Sequence, residues 1–155
     1  MILTENLNPS NILLKSEAKT RWDIIKDLVA LAVKTGQIEG KNEQEITAAL
    51  IEREKSMSTG IGKGVAIPHC SINTIDDVVI MLATHEKGIN FDAIDSLPVR
   101  IVIVLLVPKN KLTQHIKTLA NIAKIMSEDA FKEGLLSFTD PEDAYAYIRD
   151  FESGK

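Results

Sequence analysis

Apolar residues recur at helical spacing near the start of the chain, where Trp22, Ile25, Val29, Ala32 and Val33 gather on one side and Gly36 ends the run. The spacing predicts a helix capped by Ser16 and running through Thr35. A second helix is predicted to follow at once. Asn42 with Glu45 three positions later forms a capping-box pattern, and Ile46, Ala49 and Leu50 begin an apolar stripe whose spacing carries Arg53 onto the same face. The period then changes. Short β-branched runs at 65–67, 78–83 and 99–107 read as strands, the last of them buried and closed by Pro108. After a few polar residues, Leu112, Ile116, Leu119, Ala120, Ala123 and Met126 share one side of a third helix, and Asp140 with Pro141 opens a terminal one. Helices interleaved with apolar strands predict an α/β domain, a sheet covered by helices on both faces.

Composition narrows this picture without changing it. A chain of 155 residues suits one domain spanning 1–155, long enough to bury roughly two-thirds of the surface its unfolded form exposes. Hydrophobic residues make up 45% and charged residues 26%, the balance of an ordinary globular protein. The 18 Lys and Arg are scattered among 22 Asp and Glu, for a net charge of -4, which argues against nucleic acid as a partner. The opening MILTENLN lacks the basic and apolar regions of a secretory signal. Ile101 to Val107, the longest apolar run, is too short to span a bilayer, so direct membrane insertion is not expected. The single cysteine, Cys70, forms no internal disulfide, and the expected compartment is the cytoplasm.

Candidate chemistry concentrates in "STGIGKGVAIPH", Ser58 to His69. The glycines at 60, 62 and 64 do not make a dinucleotide loop, because Val65 stands where the third fingerprint glycine falls and the predicted order is helix, loop, strand. A Walker loop fails as well, since Gly64 follows Lys63. What remains is a turn feeding a strand that delivers His69 behind Pro68, whose ring restricts both itself and Ile67. Each residue also has a plain structural role open to it. His69 can be an ordinary strand-end histidine, Arg53 a cation at a helix C-terminus, and His115 a helix-core boundary residue. Ser58 and Thr59 can merely close the turn.

Other chemistries have less support. His69 and Cys70, adjacent on an extended chain, point to opposite faces and make no nucleophile-base pair. Three histidines and one cysteine stand in no zinc spacing, so no metal is expected. His85, followed by Glu86, Lys87 and Gly88, reads as a solvated turn residue. No G-x-S-x-G elbow is present.

The run "REKSMSTGIGKGVAIPH", Arg53 to His69, resembles the active-site signature of the enzyme IIA components of the bacterial phosphoenolpyruvate:sugar phosphotransferase system, in the fructose, mannitol and nitrogen-regulatory class. "FDAIDSLPV" from Phe91 and "LLVPKNKLTQHIKTLANIAKIM" from Leu105 agree with it. The resemblance implies a three-layer α/β/α fold with a mixed sheet. It implies a phosphocarrier in which His69 accepts a phosphoryl group from an HPr-type carrier and passes it to an enzyme IIB or signals to regulatory target proteins. It further implies that Arg53 stabilises charge, that His115 donates a hydrogen bond to the phosphoryl group, that the hydroxyls of Ser58 and Thr59 can donate to that group as well as close the turn, and that the protein has no kinase activity of its own. An imidazole titrating near about 6.5 supplies the neutral nucleophile such transfer needs, and a guanidinium matches phosphoryl oxygens in bidentate fashion. No cofactor is required. The chain shows no fused enzyme IIB or membrane domain, which tilts the expectation from sugar uptake toward regulation. Were the strands leading to Pro68 and Pro108 parallel, His69 and His115 would meet at the carboxyl edge of the sheet.

Overall fold

The strand Val99–Pro108 is apolar on both faces, and the molecule is layered around it. The computed structural model describes residues 3–154. Among them the elements run β1 (Leu7–Leu13), α1 (Arg21–Lys34), α2 (Glu43–Ser56), β2 (Gly60–Gly62), β3 (Val65–Ala66), β4 (His69–Ile72), β5 (Val79–Ile89), β6 (Val99–Pro108), α3 (Leu112–Ile125), α4 (Asp129–Leu136) and α5 (Pro141–Glu152). The sheet order is β1-β5-β6-β3-β2, with β4 also paired to β6. β1 lies parallel to β5, β5 antiparallel to β6, and both β3 and β4 run parallel to β6, so the sheet is mixed.

β3 and β4 form one edge line along β6, broken at Ile67-Pro68. Proline has no N–H to donate, yet its carbonyl still accepts from Leu105 N at 2.9 Å, and Ile67 N turns away to the Thr59 carbonyl at 3.1 Å. The register therefore continues through the break: Val65 faces Ile101, Ala66 faces Val102, His69 faces Leu105 and Cys70 faces Leu106.

Paired residues share a face, and the two faces carry two separate cores. On one, Ala66, Met81, Val102, Val104 and Leu106 pack beneath Ile25, Leu28 and Val29 of α1 and Ile46 and Leu50 of α2. On the other, Val65, Ile67, Leu82, Ile103 and Leu105 pack beneath Ile122 of α3, Leu135 of α4 and Ile148 of α5. This is the α/β/α sandwich expected from the chain's patterning.

Several boundaries differ from expectation for identifiable reasons. α1 begins at Arg21 rather than after Ser16, because Thr20 is the residue whose hydroxyl accepts from a first-turn amide, Asp23 N at 3.1 Å. The Ser16 hydroxyl instead accepts from Ala18 N at 3.1 Å in the preceding turn. The capping box at Asn42 and Glu45 is not made: a 3-10 turn over Gly40–Asn42 leads into α2, leaving Asn42 helical with no side-chain cap. At the other end of the chain Asp140 does cap α5, accepting from Glu142 N at 2.9 Å, with Pro141 in the first turn.

β5 runs on to Ile89, and His85 is not a solvated turn residue. Its ring is half-buried between two backbone groups, Gly88 N at 2.9 Å from Nδ1 and the Ala18 carbonyl at 2.8 Å from Nε2. An amide N–H can only donate, so Nδ1 accepts and Nε2 carries the hydrogen that ties the segment before α1 to the sheet. The strands β1, β2 and β4 and the helix α4 have no counterpart in the sequence reading. β1 contains Pro9 and the buried Asn11, which obscure its alternation; Asn11 is satisfied by Gln37 at 2.5 Å and Thr35 at 2.8 Å.

Candidate functional site

The segment from Arg53 to His69 leaves the end of α2, crosses the β2–β3 hairpin and returns along β6. Its first part is held from beneath. α2 buries Ile46 and Leu50, and the next position at that four-residue spacing is Glu54, only 1% exposed. A carboxylate there is tolerated because it is fully partnered. Its oxygens accept from Thr59 N at 3.1 Å, from the Thr59 hydroxyl at 2.5 Å and from Arg21 Nη1 at 3.3 Å. Arg21 goes on to donate to the Phe91 carbonyl at 2.9 Å and reaches Asp92 at 3.3 Å. Ser58 completes the bracing: its hydroxyl donates to the same Phe91 carbonyl and accepts from Gly60 N at 3.0 Å.

Gly60 is required for this geometry. A Cβ at that position would stand 2.7 Å from the Ala93 Cβ and 2.9 Å from its Cα, so the hairpin and the 91–95 segment touch backbone to backbone. At the hairpin tip Lys63 and Gly64 both have positive φ, and Lys63 N donates to Asp95 at 2.8 Å. The amides of Lys63 and Leu97 on the Asp95 carboxylate hold it below the usual carboxylate range.

The second part of the segment presents His69. It opens β4 and, through its register with Leu105, shares the sheet face covered by α3, α4 and α5. The ring is half-buried, and Nδ1 lies 2.7 Å from the Ile67 carbonyl two residues back. A carbonyl can only accept, so Nδ1 carries the hydrogen and the neutral ring keeps its lone pair on Nε2. Cys70 points to the opposite core, where burial pushes its thiol up to about 11, which keeps it in the unreactive protonated form.

α3 lies on the His69 face, with Ile122 and Met126 packed in the same core as Ile67, Leu105 and Val107. His115 stands in its first turn, half-buried, with Nδ1 3.2 Å from the hydroxyl of the buried Thr118. Helix N-termini favour negative charge. β4 and β6 are parallel, as the carboxyl-edge argument needs. His69 nevertheless sits three residues short of the edge, because β4 continues to Ile72 opposite Pro108.

Arg53 arrives from the other side of the sheet. It is half-buried near the end of α2, and Nη1 donates to the Met57 carbonyl at 2.9 Å. Arg53 keeps the helical phase of Ile46, Ala49 and Leu50 and is half-buried, while Glu54, four residues after Leu50, is the fully buried position. Glu54, Arg21 and Thr118 are the residues that sequence reasoning passed over. The four-residue spacing Ile46, Leu50, Glu54 is the signal that could have found Glu54.

Comparison with known proteins gives the family and the fold. The family model for the phosphoenolpyruvate-dependent sugar phosphotransferase system, EIIA 2, matches residues 5–151. A nitrogen regulatory protein of Klebsiella oxytoca is 32% identical over 151 residues, covering 96% of this chain and 88% of its own. A fructose-specific EIIA component from Haloferax volcanii is 30% identical, covering 81% of this chain and 80% of its own. Among solved structures, the nitrogen regulatory protein IIA-Ntr of Neisseria meningitidis superimposes with a TM-score of 0.84 at 27% identity, over 94% of this chain and 98% of that one.

Proposed function

The chain belongs to the EIIA 2 family of the phosphoenolpyruvate-dependent sugar phosphotransferase system, whose members are phosphotransferase components, and from that membership we propose that it is a histidine phosphocarrier of the nitrogen-regulatory type. It works as a single domain over 1–155 in the cytoplasm, and among the described residues no helix is long and apolar enough to cross a membrane. The observation that carries the reading is the hydrogen bond from His69 Nδ1 to the Ile67 carbonyl, which leaves Nε2 as the nucleophile.

In the transfer, Nε2 of His69 attacks the phosphorus of a phosphohistidine on an HPr-type donor. The new N–P bond forms as the donor's N–P bond breaks, and the donor imidazole leaves with the electron pair. His115 binds the phosphoryl oxygens through Nε2–H, in the tautomer that accepts the Thr118 hydroxyl on Nδ1. Arg53 supplies positive charge through the guanidinium donors not used on Met57. The hydroxyls of Ser58 and Thr59 are engaged on Phe91 and Glu54, so in the present geometry their part is to shape the loop. Binding phosphoryl oxygens directly would require one of these bonds to be given up. The phosphoryl group then goes onward to an enzyme IIB, or its presence is read by regulatory targets.

The regulatory reading is favoured by the nitrogen regulatory relatives, including the Neisseria structure. The fructose-specific relative supports the second reading, a sugar-specific EIIA delivering to an enzyme IIB. Incubation with phosphoenolpyruvate, enzyme I and an HPr-type carrier tests the shared chemistry. One acid-labile phosphoryl group is expected by mass measurement, and none on His69→Ala. Undiminished labelling of that variant would refute the assignment.

A further inference from the structure

A cavity of about 400 Å³ opens between the β2–β3 turn, the segment entering β6 and α4. That volume is in the range of small-molecule sites. Leu97, Pro98, Ile101 and Leu136 give it apolar walls, and Lys63, Arg100 and Lys132 line it against the carboxylates of Asp129 and Glu133. The cations are not equivalent. Lys132, 7% exposed, is committed: its Nζ donates to the Lys63 carbonyl at 2.7 Å and lies 3.4 Å from Asp129. Arg100 is not. Among the described residues its side chain has no hydrogen-bond or ion-pair partner, and its Nε is buried without an acceptor.

A buried donor with no acceptor is costly and uncommon in folded proteins. Here the donor belongs to a guanidinium, which offers parallel N–H groups to a planar or tetrahedral oxoanion. Neighbouring acids do not quench it. The Asp95 carboxylate is occupied by the Lys63 and Leu97 amides, Asp129 is on Lys132, and the exposed Glu133 makes no ion pair with Arg100. The lining thus combines an unsatisfied cation with an apolar wall. This place is separate from the His69 site: Ile101 and Leu105, the partner of His69, are four strand residues apart, about 13 Å at the usual rise.

We propose that this cavity binds a small oxoanion joined to a compact apolar group, a carboxylate or a phosphate monoester, with Arg100 as its charge partner and Leu97, Pro98 and Leu136 covering the apolar part. The site bridges the hairpin tip to α4.

Titration of the isotope-labelled full chain with phenyl phosphate and with benzoate, followed by NMR, tests this. At least one anion is expected to give saturable shifts centred on the amides of Lys63, Gly64, Arg100, Ile101 and Lys132. The neutral benzyl alcohol is expected to bind at least about tenfold more weakly, as is either anion to Arg100→Met. Glu133→Gln, which removes an exposed rim charge, is expected to tighten binding about twofold and serves if Arg100→Met fails to fold. His69→Ala is expected to bind like the unaltered chain, so this result stands or falls apart from the phosphocarrier reading. Absence of saturable shifts with both anions, shifts centred on His69, equal binding of benzyl alcohol, or unchanged affinity in Arg100→Met would each overturn the proposal.

Discussion

The two ends of the Arg53–His69 segment are built on opposite plans. At the Glu54 end every strong hydrogen-bonding group is matched: one buried carboxylate takes Thr59 twice and Arg21 once, and Ser58 is bonded on both sides. At the His69 end the ring uses Nδ1 on the Ile67 carbonyl and keeps Nε2 in reserve. Saturated groups hold the backbone, and among the described residues the His69 ring keeps Nε2 without a partner. Under the proposed function, that difference is what puts the reactivity of a segment dense in hydroxyls, glycines and a lysine on one imidazole nitrogen.

Predictions follow that separate the two plans. The largest effect belongs to the scaffold. Glu54→Ala leaves Thr59 and Arg21 without their buried acceptor, and stability should fall by about 3 kcal/mol, measured by urea unfolding. A loss below about 1 kcal/mol would mean that the buried carboxylate is not what secures the loop.

Next comes Arg53→Ala, which removes a half-buried cation while leaving the Glu54 bracing intact. It should fold with near-normal stability and accept the phosphoryl group about 10- to 100-fold more slowly. An unaltered labelling rate together with a large stability loss would move Arg53 to the scaffold end, as the cap on Met57 that its hydrogen bond already makes. The smallest effect is at His115. His115→Ala should keep the label on His69 and slow transfer about tenfold, measured by rapid-quench labelling, and a phosphopeptide carrying the group on residue 115 would reverse the assignment.

Much of this organisation was legible in the residues. The apolar runs at 65–67, 78–83 and 99–107 are strands, and the Asp140-Pro141 start is a capped helix, because both signals are local. The signature from Arg53 to His69 singled out a histidine that the fold sets at the start of β4. Features that depend on distant partners were hidden. Ser16 and Thr20 are both competent helix caps, and tertiary context selected Thr20. β1 is stabilised by pairing with β5 and by the Asn11 contacts to Thr35 and Gln37, none of which alternation reveals. Glu54 is buried through Arg21, 33 residues away, and through Thr59, partners that its own place in the sequence does not reveal. His85 resembled a turn residue because its anchors, Ala18 and Gly88, are backbone groups that no side-chain pattern records.

The central claim is that the Ile67 carbonyl selects the reacting nitrogen of His69. Long-range proton–nitrogen NMR of the histidine rings, recorded before and after phosphorylation by the donor system, tests it directly. Before transfer the His69 ring should show hydrogen on Nδ1. After transfer the phosphorus coupling should appear on Nε2 of His69, with Nδ1 still protonated. A phosphoryl group on Nδ1, or a ring that starts with its hydrogen on Nε2, would contradict the account.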